Sequence, residues 1–283
     1  MVMDEDKLSV DCEMAEIIRN KIIPQGPLWK YLSLSPSQGP TWQEKLTQIC
    51  IDGKIYCSSP RDFNDPFDCL PCVVSPQSQP DIDAGTSHLI SRFIDSLPHH
   101  SPDEIEREAR AGILSFSPDE LAKWSKIACE GTASKMGVFC FSERIDSVLM
   151  WSHYANNHTG VAIRFEPMVN LKGGLMPLFK VCYQDARPKI SYFVSDEAMD
   201  FADALTTKAT FWEYEREWRK IVPDGAGKFL QIDRNIITGM VFGVNCSENV
   251  QQAVKGILSS RTMDFWQVIP SSEHFAIQFQ KSE

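Results

Sequence analysis

The stretch "WEYEREWRK", residues 212–220, places three glutamates, three cationic side chains, two tryptophans and a tyrosine in nine consecutive positions. Read at a helical period, Phe211, Tyr214, Trp218 and Ile221 form one stripe, and Glu215 pairs with Arg219 four residues on. At the two-residue period of a strand, Glu213, Glu215, Glu217 and Arg219 share one face, and Trp212, Tyr214 and Trp218 the other. Periodicity alone does not choose between them. The segment reads either as an amphipathic element with surface ion pairs, each worth about 0–1 kcal/mol, or as a carboxylate pair on a sheet edge or loop, walled by aromatic rings.

The sequence around it sets the fold class. "MGVFCFSE", "GVAIRFE", "FKVCYQ", "GMVFGVN" and "HFAIQFQ" are short runs rich in β-branched and aromatic residues, which predict strands. Between them "DSVLMWSHYAN", "SDEAMDFADALTTK" and "SENVQQAVKGILSS" predict helices. Earlier, "TWQEKLTQICIDG" offers Thr41 and Glu44 as a capping box and Gly53 as a stop, which predicts a helix over 42–52 feeding the strand "KIYCSS". "SPDEIEREARAG" and "SPDELAKWSKIACEG" each open with Ser, then Pro at the first helical position, then acidic residues. Strands and helices do not alternate strictly, and no Gly-rich strand-to-helix loop appears. The expectation is an α+β fold with a mixed or antiparallel β core, one domain over 1–283 with a helical insertion at 82–135.

Composition bounds the function. With 43% hydrophobic and 23% charged residues the 283-residue chain is globular. A net charge of −10 argues against non-specific binding to nucleic acid, which needs clustered Lys and Arg. No run approaches the roughly 18 apolar residues of a membrane span, and the acidic start "MVMDEDKLSV" lacks the pattern of a secretory signal, so the expected compartment is cytoplasmic. Nine cysteines, an odd number, suit reduced thiols better than a disulfide framework. Cys140 and Cys182, in strand-like runs, read as small core hydrophobes. "CLPC" at 69–72 is half a zinc site without a second half, and His153 and His158 are five apart, poor spacing for one helical face. No metal is expected. GxSxG, P-loop, HExxH and dinucleotide fingerprints are all absent.

Two further stretches carry chemistry-bearing residues. In "DSVLMWSHYANNHTG", Met150, Trp151 and Tyr154 read as core packing with His153 at the edge, or alternatively as a functional face. In "RDFNDPFD", Pro66 pushes Asp65 toward extended geometry, and Asn64 and Asp65 either pin the turn with their side chains or point into a ligand cleft.

"LWKYLS", "SSPRDFNDPFD", "FCFSE", "SVLMWSHYANNHTGVAIRF", "VCYQD" and "FWEYEREWR", in that order over residues 28–245, resemble a widespread bacterial family of uncharacterised function. More distantly, the order of a basic or aromatic residue on a first strand, a Phe-Ser segment midway and Glu-x-Glu late is similar to the ADP-ribosyltransferase superfamily. That resemblance implies a split-sheet core and NAD as substrate. It implies that Lys30 or Tyr31 touches NAD, Ser142 supports the nicotinamide pocket, Glu217 binds the nicotinamide ribose, and Glu215 orients or deprotonates an acceptor. Aromatic faces such as Tyr154, Trp151 or Trp212 would sandwich the nicotinamide ring, His153 is a further binding candidate, and Lys30 or Arg219 would meet the pyrophosphate. The sequence departs from that superfamily in having "CFSE" in place of a Ser-Thr-Ser run, and Lys30 where Arg or His is usual. The acceptor is not named by the sequence, and a toxin or phage-defence role would fit such a transferase. Two other readings stay open: a non-enzymatic module recognising a nucleotide or protein with the same cleft, and a metal-dependent nuclease using Asp65, Asp68, Glu215 and Glu217.

Overall fold

The computed structural model describes residues 23–35, 39–74, 78–93, 101–115, 130–166, 177–191 and 200–282, with Ser117, Glu120, Lys123 and Leu175. The strands, in chain order, are β1 (Leu28–Leu32), β2 (Lys54–Cys57), β3 (Cys72–Val74), β4 (Gly137–Ser142), β5 (Val161–Phe165), β6 (Phe179–Lys180) and β7 (Cys182–Tyr183). The second half continues with β8 (Lys189–Ser191), β9 (Thr207–Lys208), β10 (Glu217–Val222), β11 (Lys228–Gln231), β12 (Ile237–Phe242), β13 (Asp264–Pro270) and β14 (Ile277–Lys281). The fold is α+β with a mostly antiparallel sheet, as the sequence reading has it. Two compact units divide it: 1–58, 137–181 and 211–283 form the first, and 59–136 with 182–210 the second.

The first unit is built on an eight-stranded sheet in the order β14-β13-β12-β5-β1-β4-β10-β6. The resemblance implies a sheet in two halves; hydrogen bonding here runs unbroken across all eight strands. β12 and β13 are its parallel neighbours, and the helix Glu248–Ile257 makes the crossover that a parallel pair requires. The central strands are apolar on both faces because both are covered. Under one face lie Leu28, Phe139, Phe141, Ile163, Phe165, Trp218, Met240 and Phe242, closed by Leu46, Ile49 and Cys50 from the helical turns at 42–51 and by Val254 and Leu258. Under the other lie Trp29, Tyr31, Ala162 and Val241, closed by Met150, Trp151 and Ala155 from the helix Val148–Tyr154 and its end.

Local chemistry explains the element ends. The Thr41–Glu44 capping box forms in both directions, the helix runs as α over Trp42–Leu46 and widens to a π turn over Thr47–Ile51, and Gly53 ends it at φ +67. β2 pairs with β11, outside the main sheet. The expected single strand in "FKVCYQ" is two: β6 pairs with β10 in the first unit and β7 with β9 in the second. Cys182 is exposed, correcting its reading as a core residue, because β7 is an edge of a two-stranded ribbon. β11 and β13 carry no expectation from sequence.

In the second unit the helices Gln79–Phe93 and Pro102–Ser115 pack together, joined by an Arg110–Asp83 ion pair at 2.8 Å. Ser101 and Glu104 form a capping box ahead of Pro102, which takes the first helical position as expected. The strand pairs β3 with β8 and β7 with β9 are both parallel. The helix expected in "SPDELAKWSKIACEG" lies largely outside the described residues.

Candidate functional site

Residues 212–220 are neither one helix nor one strand. Thr210–Glu215 forms a 3₁₀ turn, Arg216 takes a left-handed φ of 44, and Glu217–Val222 is β10, an inner strand of the sheet. A non-glycine residue at such a φ stores strain of about 1–3 kcal/mol. Glu215 and Glu217 therefore lie on different elements, Glu215 closing the 3₁₀ turn and Glu217 opening β10, and both are buried.

Glu217 lies opposite Ser142 of β4, and Arg219 lies opposite Cys140. Two residues apart on one strand, they point to the same face, and the guanidinium meets the carboxylate with both ends, Nε to Oε1 at 2.8 Å and Nη2 to Oε2 at 2.9 Å. Arg219 is fully buried and Glu217 nearly so. The Cys140 thiol beside them is pushed well above its ordinary range, first by burial and then by the Glu217 charge. This is a closed ion pair inside the sheet layer. A pair so arranged has its donors and acceptors engaged with each other, not offered to a ligand.

Lys30 and Tyr31, neighbours on β1, point to opposite faces. The Lys30 ammonium donates to the Cys140 carbonyl at 3.2 Å and sits 4.5 Å from the Phe139 ring centre. Tyr31 is buried on the Trp151 side, its hydroxyl donates to the Arg144 carbonyl at 2.8 Å, and burial raises its pKa. Trp151 is fully buried, with its indole N–H on the Ile145 carbonyl at 2.8 Å. Trp151 is therefore core, as the plainer reading of its helix has it, and is not a ring wall of an open cleft.

A different subset converges. Glu215, as buried as Glu217, accepts a 2.6 Å hydrogen bond from the Tyr154 hydroxyl, at the end of the helix Val148–Tyr154. The Ser142 hydroxyl donates to the Glu215 carbonyl at 2.5 Å and accepts from the Arg144 N–H at 2.9 Å, so Ser142 fastens the 3₁₀ turn to the end of β4. Next to Tyr154, His153 is exposed and lies 6.3 Å from the Tyr214 ring at 26°, with Trp212 at 6.2 Å and 66°. Phe211, mostly exposed, stands 5.8 Å from Trp212. Leu149, also exposed, is one helical turn before His153. The result is a surface of aromatic rings with an imidazole among them and a carboxylate beneath. It can take a flat ring by stacking and accept hydrogen bonds at its floor. Tyr214 and Phe211 were not singled out as binding residues from sequence. The available signal was that "FWEYE" places four large polar or aromatic groups beside Glu215 at a chain reversal.

Asn64 and Asp65 belong to the second unit. Asn64 is exposed; Asp65 is buried and its Oδ1 accepts the Phe67 N–H at 2.9 Å, the side-chain turn expected of "NDPF". Asp65 also lines a small cavity with Asp68 and Lys208. Cys69 and Cys72 are not joined in a disulfide, and the Cys69 thiol donates to Asp68 Oδ1 at 3.4 Å. Among the described residues no three of His, Cys, Asp or Glu stand together so as to hold a metal ion, and no helix is long and apolar enough to cross a membrane.

Tyr154, Glu215, Glu217 and Arg219 all fall in one stretch that similarity also marks out. Residues 150–220 match the family described as protein of unknown function (DUF2971). The DUF2971 match thus spans both the aromatic surface and the buried ion pair, and excludes the "NDPF" turn and β1. No curated protein and no solved structure matches the chain.

Proposed function

We propose that the first unit is a nucleotide-recognition module that takes a flat ring, the nicotinamide or adenine of NAD, on the surface formed by His153, Trp212 and Tyr214, with Glu215 and Tyr154 accepting and donating hydrogen bonds to the ribose hydroxyls. The observation that carries this reading is the exposed His153 ring with two aromatic rings within 6.3 Å, directly beside the Tyr154–Glu215 bond. A binding role is favoured over ADP-ribosyl transfer because Glu217, the carboxylate assigned to the nicotinamide ribose, is held bidentate by Arg219 inside the protein.

Transfer remains a second reading for one reason: the Glu215 carboxylate, buried and bonded to Tyr154, lies beneath the aromatic rings. A carboxylate there would stabilise the oxocarbenium character that develops as nicotinamide leaves. In that case Glu215, not Glu217, is the catalytic group, and the acceptor is a separate question.

Titration calorimetry with NAD, AMP and nicotinamide mononucleotide, alongside a nicotinamide-release assay, separates these readings. Stacking of a base on an aromatic side chain is worth about 1–3 kcal/mol, so Trp212→Ala should weaken nucleotide binding roughly 5- to 150-fold with the fold retained. Failure of all three nucleotides to bind the wild type at millimolar concentration overturns both. Release of nicotinamide that is lost in Glu215→Gln selects the transferase.

A further inference from the structure

The helix that carries His153 and Tyr154 to the ring surface ends in a turn with three consecutive left-handed residues, Asn156, Asn157 and His158, at φ 48, 50 and 66. Left-handed backbone is disfavoured for residues with a Cβ, so the turn is held by its contacts. The Asn157 and His158 N–H groups donate to the Ser152 and Trp151 carbonyls, each at 3.2 Å, and the His158 carbonyl accepts from the Asn245 N–H at 3.0 Å. The His158 ring lies 6.5 Å from the Trp151 ring at 13°, and its Nε2 is 3.1 Å from the Ser152 hydroxyl. Its Nδ1 is buried and has no hydrogen-bond partner.

We propose that His158 is a pH switch for the ring surface: the closed turn admits only the neutral imidazole, and protonation releases the turn and with it the helix end that seats His153 and Tyr154. The cause lies in the turn alone; the consequence for a ligand rests on the nucleotide reading above. The neutral ring that fits carries its proton on Nε2, facing Ser152, and leaves Nδ1 as a lone pair. Protonation puts an N–H and a charge at Nδ1, a buried position with nothing to accept them. Opening the turn lets water reach that nitrogen, so the proton favours the open form. Burial lowers the His158 pKa, as this requires, and among the described residues no charged group contributes to the shift. Against His158 stand Trp151 and Ser152 from the helix, and Gly243 and Asn245 from the loop after β12. The titratable group of that loop, the Cys246 thiol, is pushed up to about 11 by burial and stays neutral. Coupling to the site is direct. Ser152 and Trp151 share a seven-residue helix with His153 and Tyr154, and a helix so short depends on its packing and end contacts.

Two readouts test the switch. Calorimetric titration with NAD at pH 7.5 and 5.5 compares the wild type with His158→Asn, whose side chain suits a left-handed turn and does not titrate. An open turn whose ring titrates near 6.5 gains about tenfold over the closed one across that range. Wild-type affinity should therefore fall about threefold to tenfold further than that of His158→Asn; His153, present in both proteins, cancels from the comparison. The second readout needs no nucleotide. In His153→Gln protein, where His158 is the ring titrating at this helix end, the Ser152 and Tyr154 amide NMR signals should move with the His158 ring signals, at one midpoint below the usual histidine value. Equal pH profiles for the wild type and His158→Asn, or Ser152 and Tyr154 amides that stay still while the His158 ring titrates, overturn the switch. Absence of NAD binding at pH 7.5 overturns the nucleotide reading instead, and the amide signals alone then decide the switch.

Discussion

Glu217→Gln is expected to unfold the protein more readily, not merely to silence it. Arg219 is fully buried and makes two charge-assisted bonds, at 2.8 and 2.9 Å, to the Glu217 carboxylate. Removing the carboxylate charge takes away the group that a buried guanidinium holds with both ends. Breaking a buried pair in this way costs about 3–5 kcal/mol, against a total stability that for domains is about 5–15 kcal/mol. Each 1.4 kcal/mol is tenfold, so the folding equilibrium should fall between about a hundredfold and several thousandfold. Replacing both partners by apolar residues, Glu217→Leu with Arg219→Met, removes the desolvation of both charges together and should cost much less, or even stabilise. Urea denaturation monitored by tryptophan fluorescence and circular dichroism reads both variants. A Glu217→Gln loss below 1 kcal/mol, or a double variant as unstable as the single one, would refute the assignment of Glu217 to the ion pair.

Other consequences are local. A methyl group on Gly243 would run into the carbonyl oxygen of His158, backbone that cannot step aside, so Gly243→Ala should lower the urea midpoint by an amount equivalent to about 1–3 kcal/mol. Ser142→Ala leaves the Arg144 N–H and the Glu215 carbonyl without the hydroxyl that joins them; a cost of about 1–3 kcal/mol and faster amide exchange over Thr210–Glu215 should follow. Burial lowers the His158 pKa, and its Nδ1 is buried without a partner. The unfolded chain therefore binds the proton more readily, and stability should decline as pH falls below about 6.5. His158→Asn, which tolerates the φ of 66 at that position, should show a shallower decline between pH 7.5 and 5.5, and an equal slope would contradict the cause assigned.

The sheet was legible in the sequence wherever burial on one or both faces wrote itself as a run of β-branched and aromatic residues, as in "GVFCFS" and "VAIRF". Capping at Thr41 was legible because the box needs fixed residues at fixed spacing, and the same box at Ser101 and Glu104 emerges from the structure. The candidate site was read less well. Tyr154, Glu215 and His153 do come together, but Glu217 and Arg219 go inward and Lys30 goes to the far face. Arg216, whose left-handed backbone separates the 3₁₀ turn from β10, interrupts the period between Glu215 and Glu217. Neither a helical nor a strand template anticipates an inversion at an arginine. β13 was missed because its half-buried residues, Phe265 to Gln267, mix aromatic and polar groups without strict alternation.

The central claim is that the ring surface beside Glu215 recognises a nucleotide while Glu217 serves the fold. Its most direct test is calorimetric titration of the folded wild type and a folded Trp212→Ala variant with NAD, with free nicotinamide quantified in the cell afterwards. The account predicts saturable binding by the wild type, a weakening of at least fivefold in the variant, and no nicotinamide beyond the blank. Binding that is indifferent to Trp212, or no binding by the wild type at millimolar NAD, would contradict it.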